Sequence, residues 1–201
     1  MNFYEQENNK TVLKTREIIR ELPEFCNEFF LDLNQNTLPK TRMGYAYDLR
    51  VFFNFLVTEN KEFLGRDIKS LTLDDLQKIK VVDINQFMDY LAYYVSDEDS
   101  QLYSNGENGK ARKLAAVRKL FKYFYRTEKI SSNPAELTIT PKRHEKEIVR
   151  LEPNEVAEML DVIENGSKMT SKQKEYYEKT KIRDLAIVTL LLGTGLRVSE
   201  C

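Results

Sequence analysis

Cysteine is scarce in this 201-residue chain: there are two, Cys26 and Cys201. They lie far apart and in no metal-ligand spacing, so no disulfide framework and no metal site is expected, and a reducing cytosol suits them. Glycine (7) and proline (5) are few, which argues for long helices with few turns. Neither charge sign dominates: 31 Lys+Arg stand against 32 Asp+Glu. Overall charge therefore does not announce nucleic acid, and any basic surface has to come from segregation of the charges. The opening residues, MNFYEQENNK, lack the charged-then-apolar order of a signal peptide. The longest apolar run, Leu185–Leu192 with Thr189 inside it, is far too short to span a bilayer. No β-alternation of useful length and no internal repeat occurs. What remains is a soluble, cytoplasmic, mainly α-helical protein with room for one large or two small domains.

Helical patterning organises the rest. Residues 1–20 are polar and weakly patterned, a mobile tail or a loose first helix. From Leu22 to Leu33, apolar residues recur at helical spacing (Leu22, Phe25, Cys26, Phe29, Phe30, Leu33). A second helix is expected from Thr37 to Thr58, with Tyr45, Leu49, Phe52, Phe53 and Leu56 as its apolar stripe. Thr72 or Asp74 can cap a short helix, and Asp83 another running to about Val95. Ser96–Gly109 reads as an exposed loop. A strongly patterned helix covers about Lys110–Thr127 and closes at Ser131-Ser132-Asn133-Pro134. Residues 135–150, with Pro141 and the charged run from Lys142, read as a linker. Pro153 then begins a helix to about Glu164, Asn165-Gly166-Ser167 breaks it, and a charged stretch follows. The last helix, Ile182–Leu192, is apolar on nearly every face and is expected to be buried, ending at Gly193-Thr194-Gly195.

The helix Lys110–Thr127 carries Lys110, Arg112, Lys113, Arg118, Lys119, Lys122 and Arg126, with no acid between Glu107 and Glu128. At about 100° per residue, Leu114, Val117, Leu120, Phe121, Phe124 and Tyr125 share one face, and Arg112, Arg118, Lys119, Lys122 and Arg126 the opposite one. Such a surface matches a phosphate backbone or a major groove. A plain solvated face is the other reading. A membrane-surface helix fits less well, because an aromatic face suits a domain core. The helix from Thr37 has a comparable outward face in Met43, Tyr47, Arg50 and Asn54, with Lys40 and Arg42 at its start. Arg and Asn can contact guanine and adenine edges.

The segment from Arg183 to Glu200 ends in Thr194-Gly195-Leu196-Arg197-Val198-Ser199-Glu200 after an apolar helix. It resembles the first catalytic motif of the tyrosine recombinase (phage-integrase, Xer-like) family. Upstream stretches agree in order. Thr41…Tyr45…Asp48-Leu49…Phe52…Phe55-Leu56 and Arg112–Phe124 resemble the family's two DNA-facing helices, and Asn133-Pro134-Ala135 and Pro141-Lys142 its interdomain linker. The resemblance covers roughly residues 21–201. A bland alternative for Gly193–Glu200 is a helix–turn junction with a surface arginine, in which Glu200 pairs with Arg197 or faces solvent.

The resemblance implies a four-to-five-helix core-binding (SAM-like) domain over 21–134, after a tail at 1–20. A linker at 135–150 and the helical start of a catalytic domain at 151–201 complete the plan. It implies Arg197 as a catalytic residue that stabilises charge on a phosphoryl group, with Glu200 in support. It implies DNA contacts from Lys40, Arg42, Tyr47, Arg50, Arg112, Arg118, Lys119, Lys122, Arg126, Lys142 and Arg143. Partners would be duplex DNA and further recombinase protomers. No small-molecule substrate, metal or cofactor is implied, because a phosphotyrosine bond conserves the energy. The family's remaining catalytic groups (a hairpin lysine, a His-x-x-Arg pair, a further His or Trp, and the tyrosine nucleophile) follow its first arginine, and this sequence runs four residues past Arg197. The single histidine, His144, lies in the linker, and none of the eleven tyrosines has the nucleophile's context. The expectation is a truncated site-specific recombinase that binds duplex DNA without completing recombination alone. Its C-terminal piece should be exposed, loosely packed or completed by another chain. Two further readings stay open: a non-catalytic helical DNA-binding module or regulator, and a helical protein-interaction module that binds no DNA.

Overall fold

The computed structural model describes residues 3–95, 101–142, 150–166 and 169–200. It is mainly α-helical and divides into two compact units, Met1–His144 and Glu145–Cys201. In the first unit the helices are α1 (Phe3–Ile19), α2 (Cys26–Asn34), α3 (Pro39–Glu59), α4 (Leu73–Lys78), α5 (Val81–Tyr90), α6 (Glu107–Arg126) and α7 (Pro134–Leu137). A 3-10 turn, Ile68–Ser70, precedes α4.

Local chemistry sets several of these ends. Pro39 opens α3, where its missing N–H costs nothing. Thr72 and Asp75 cap α4 reciprocally: the Asp75 N–H donates to Thr72 Oγ1 and the Thr72 N–H to Asp75 Oδ2, at 3.3 and 3.0 Å. Asp83, expected as the cap of α5, sits one turn inside it and accepts from the Lys80 N–H at 2.7 Å. From there it satisfies the N–H of the N-cap residue, the back-reaching half of a capping box, and not a first-turn N–H that a capping side chain would take.

Aromatic rings form the core. Phe52 of α3 packs against Phe87 of α5 and Phe121 of α6, and Phe25 meets Phe53 and Phe124 edge-on. Burying each such ring contributes roughly 1.5–3 kcal/mol, and an edge-to-face pair about 0.5–1.5 kcal/mol more. Leu114, Val117, Leu120, Phe121 and Phe124 of α6 are all buried, as their spacing predicts. Tyr125 is not: it is 50% exposed, and Tyr123 is buried in its place. The covered arc of α6 is rotated because α2 lies over Tyr123, whose hydroxyl donates to Glu28 at 2.7 Å and whose ring meets Phe29.

Residues 3–19 are a full helix packed on α3, not a tail. Its buried stripe is narrow, Thr15 and Ile18, which is why the polar sequence hides it. The Thr15 hydroxyl donates to the Thr11 carbonyl at 2.7 Å and so can be buried. The expected 96–109 loop also holds structure at its edges. Tyr94–Val95 (β1) pairs antiparallel with Leu102–Tyr103 (β2), Tyr94 opposite Tyr103. Strands of two residues leave no alternation to detect. The stretch read as the start of a linker folds back instead: Pro134, Ala135 and Thr138 are buried, and α7 packs on α5 and α6.

The second unit contains α8 (Pro153–Asn165) and α9 (Ser171–Thr194), packed on each other. The charged stretch after residue 170 is not separate from the apolar helix; both belong to α9, opened by a reciprocal Thr170–Gln173 cap. Gly166 ends α8 in the left-handed region, φ +66°. The apolar residues of α9 are not buried: Ile187, Leu190 and Leu192 stand more than two-fifths exposed. A helix apolar on every face needs cover on every face, and α8 supplies one. No helix among the described residues is long and apolar enough to cross a membrane.

Candidate nucleic-acid interface

The basic residues of the sequence fall into groups with different surroundings. Tyr47 and Arg50 of α3 and Arg112 of α6 line one groove of about 530 Å3, with Asp48, Asn54, Asn105, Lys113 and the tyrosines 90, 94 and 103. Tyr90, Tyr94 and Tyr103 stack in a ladder along one wall, with centroids 5.0 and 5.7 Å apart. The Arg50 guanidinium lies 5.1 Å over the Tyr47 ring and pairs with Glu21 at 2.8 Å. Arg112 reaches from α6 to α3, its Nη2 2.8 Å from Asp48 Oδ1, and keeps 58% of its side chain exposed.

Further along the same exposed stripe of α6 stand Lys119, Lys122 and Arg126. Arg126 pairs with Asp32 at 3.3 Å and lies over the Tyr123 ring. Lys119 and Lys122 form no ion pair with a described residue. Lys40 is exposed at the start of α3, and Lys142 is exposed beyond α7. Arg143 and His144 lie outside the described residues.

Two of the expected contact residues are placed elsewhere. Arg42 projects from the other side of α3, donates to the Thr37 carbonyl at 2.5 Å, and lines a second groove with Arg16 and Arg20 of the α1 end. Helical phase explains this, since five residues separate Arg42 from Tyr47, well off a whole number of turns. Arg118 points along α6 toward the chain that follows it. It donates to the carbonyls of Ala135, at 3.0 Å, and Thr138, and to the Thr140 hydroxyl at 2.6 Å.

The groove also holds groups the basic-face pattern missed. Asp48 is 1% exposed and Lys113 7%. Burial pushes the Asp48 carboxyl up to about 6, against the pull of Arg112 and Lys113. Burial likewise lowers the Lys113 ammonium from its usual value, while Asp48 opposes this. Lys113 donates to Asn105 Oδ1 at 2.8 Å, and Asn105 Nδ2 donates to the Leu91 carbonyl at 3.0 Å, which ties the hairpin region to α6. The sequence did carry a signal for Asp48: at 100° per residue it falls between Phe52 and Phe55, inside the apolar arc of α3.

In the second unit, α9 ends at Thr194 and Gly195 takes φ +66°, its N–H donating to the Leu191 carbonyl at 2.9 Å. Gly195 alone makes the turn; Gly193 lies within the helix, and only Gly195 needs a left-handed backbone. Arg197 follows, with its side chain 81% exposed. Glu200 grips it twice, accepting from the Arg197 N–H at 2.8 Å and from its Nη1 at 3.0 Å. The Glu200 N–H in turn donates to the Arg197 carbonyl at 2.8 Å. A guanidinium has five N–H donors, so most remain available to an anion.

No protein-family model and no solved structure matches the chain. It is similar to tyrosine recombinase XerC of Caldanaerobacter subterraneus subsp. tengcongensis, 33% identical over 186 residues, covering 89% of this chain and 46% of that protein. Tyrosine recombinase XerC of Chlorobaculum parvum is 32% identical over 176 residues, 85% of this chain and 48% of that protein. Tyrosine recombinase XerS of Streptococcus thermophilus is 28% identical, over 92% of this chain and 58% of that protein. The chain thus spans about half the length of the curated relatives it matches. Over that half, this chain belongs to the tyrosine recombinase family.

Proposed function

We propose that the first unit binds duplex DNA through the α3–α6 face, as part of a site-specific recombinase that cuts and rejoins DNA. The observation that carries the reading is the segregation of charge on α6. Arg112, Lys119, Lys122 and Arg126 stand exposed on the side opposite a fully buried aromatic core. Tyr47 and Arg50 of α3 border the same face across the groove. Phosphates along a duplex can be met by such a row, and each neutralised phosphate adds about 0.9 to the slope of log affinity against log salt.

In the recombination reaction, Arg197 is the residue of this chain that meets the scissile phosphate. Its guanidinium stays charged at any working pH and offers paired donors to the phosphoryl oxygens as charge grows on them. Glu200 fixes the backbone and the direction of that side chain. DNA cleavage additionally needs a nucleophile and proton donors beside this arginine. Duplex DNA and further recombinase protomers are the partners, in the cytoplasm where that DNA is held.

A salt titration of the 201-residue chain on a fluorescent duplex tests the binding. Affinity should fall steeply with salt, and Lys119→Ala with Lys122→Ala should weaken it and flatten the slope. Affinity that ignores both salt and these substitutions would replace this reading with a protein-interaction module.

A further inference from the structure

We infer that Asp48 is a positioning residue: a buried carboxylate that fixes the Arg112 guanidinium on the floor of the α3–α6 groove so that its outer edge faces a DNA phosphate. The inference rests on the DNA-binding reading and adds to it the group that directs one of its exposed cations.

Three observations meet here. Asp48 is 1% exposed, yet its only described hydrogen-bonding or ionic partner at Oδ1 is the half-exposed Arg112, and its Oδ2 is buried with no hydrogen-bond partner among the described residues. A carboxylate this buried is costly unless its charge is used. Second, the residue one turn before Asp48 on α3 is Gly44. A Cβ there would lie 3.7 Å from Arg112 Nη1, so the guanidinium lies along α3 over both positions. Third, the other cation that pulls on Asp48, Lys113, is itself buried and donates to Asn105, so it does not face a ligand. Arg112 alone therefore carries the charge of Asp48 to the surface. An arginine long enough to sample many rotamers is held in one direction by a group that ligand cannot reach. Fixing such a side chain in advance removes much of the ordering cost at binding.

The groups that face this site are Arg112 and Lys113 from α6, Tyr47 and Arg50 from α3, and Glu21 beyond α1. Tyr90 of α5, with Tyr94, Tyr103 and Asn105 of the hairpin region, completes the lining. Protonation of Asp48 would release Arg112, and the carboxyl reaches that point near pH 6.

The test is a double-variant cycle on the whole chain, read by anisotropy on a fluorescent duplex. The four proteins are the unsubstituted chain, Asp48→Asn, Arg112→Ala and the pair together, with Lys119→Ala/Lys122→Ala as control. Asp48→Asn should weaken binding at pH 7.5 by about threefold to tenfold, the cost of one unfixed side chain. It should have no further effect once Arg112 is alanine. Affinity of the unsubstituted chain should fall between pH 7.5 and 5.5, and that of Asp48→Asn should not. Both profiles are measured in a His144→Gln background, which removes the chain's one histidine. If Asp48 merely neutralises Arg112, Asp48→Asn binds more tightly with a steeper salt slope, and the inference is overturned. Equal weakening in both Arg112 backgrounds overturns it too. If the control variant also binds unchanged, the DNA-binding reading itself fails. Thermal melts of each variant separate loss of fold from loss of contact, and Asp48→Glu, which keeps the charge and shifts its position, should restore the pH dependence without the full affinity.

Discussion

The Arg118 guanidinium, drawn from the middle of α6, holds the Ala135 carbonyl at 3.0 Å through Nε and so fastens the chain that leaves the helix. Two further donors reach Thr138 and Thr140. Removing this fork leaves buried carbonyls unpaired, so Arg118→Ala should cost about 1–3 kcal/mol, seen as a lower melting temperature and faster cleavage by protease between 134 and 142. Arg118→Lys should rescue little, because one ammonium cannot span three acceptors. Its DNA salt slope should match the unsubstituted chain. A slope reduced by about 0.9, with the melt unchanged, would make Arg118 a phosphate contact after all.

Lys119 and Lys122 predict the reverse pattern. Both are exposed, and neither pairs with a described residue. Lys119→Ala and Lys122→Ala should each reduce the salt slope by about 0.9 and leave the melting temperature within about 2 °C, since exposed substitutions stay within roughly 0.5 kcal/mol. Unchanged slopes for both would remove them from the interface.

Two glycines of the second unit take φ +66°, but their neighbourhoods differ. At Gly166 a Cβ would come within 2.7 Å of the Tyr177 ring, whose hydroxyl also donates to the Glu164 carbonyl. At Gly195 nothing lies within 4 Å. Gly195→Ala should therefore cost about 1–2 kcal/mol from the backbone alone, and Gly166→Ala more. Gly166→Ala/Tyr177→Ala should not recover Gly166→Ala fully, because Tyr177 holds the end of α8. Helix content by circular dichroism during thermal melting reads the order; equal losses at both glycines would refute the steric difference.

These contrasts show what the sequence exposes and what it hides. Where burial follows a single helical period, as at Leu114, Val117 and Phe121, the pattern reveals both the helix and its inner face. The same logic places Lys119 and Lys122 outside. It fails where a polar residue is buried for a partner from a distant segment. Arg118 looks like its neighbours, because its acceptors are carbonyls 17 and 20 residues downstream. Asp48 falls inside the apolar arc of α3, but nothing in that pattern names its partner, Arg112 of another helix. Tyr125 and Tyr123 exchange places because α2 decides which edge of α6 is covered. α1 was legible only as one of two readings, a tail or a loose helix, because only Thr15 and Ile18 of its length are buried. The Arg197–Glu200 pair was legible, being one turn apart, and the single turning glycine was not, because two glycines flank Thr194 and only backbone geometry chooses between them.

Acid titration should separate two carboxylates that are both shielded from solvent but set in different surroundings. Burial raises the Asp48 carboxyl from 3.8 to about 6. Arg66, aided by Lys78 and Thr72, holds Asp75 well below the usual carboxylate range. For Asp48 the folded value lies above the unfolded one, so its contribution is fully present below about pH 3.8 and is lost as pH rises through about 6. For Asp75 the folded value lies below, so its contribution is present above about 3.8 and is lost as pH falls beneath it. Compared with Asp48→Asn, the unsubstituted chain should therefore gain stability as pH falls from 7 to 4, by on the order of 3 kcal/mol at the limit. Compared with Asp75→Asn, it should lose stability below pH 4. Urea melts at half-unit intervals of pH measure both differences. Parallel curves for the unsubstituted chain and Asp48→Asn would show that Asp48 titrates as an ordinary surface carboxylate, and that its pairing with Arg112 carries no burial cost.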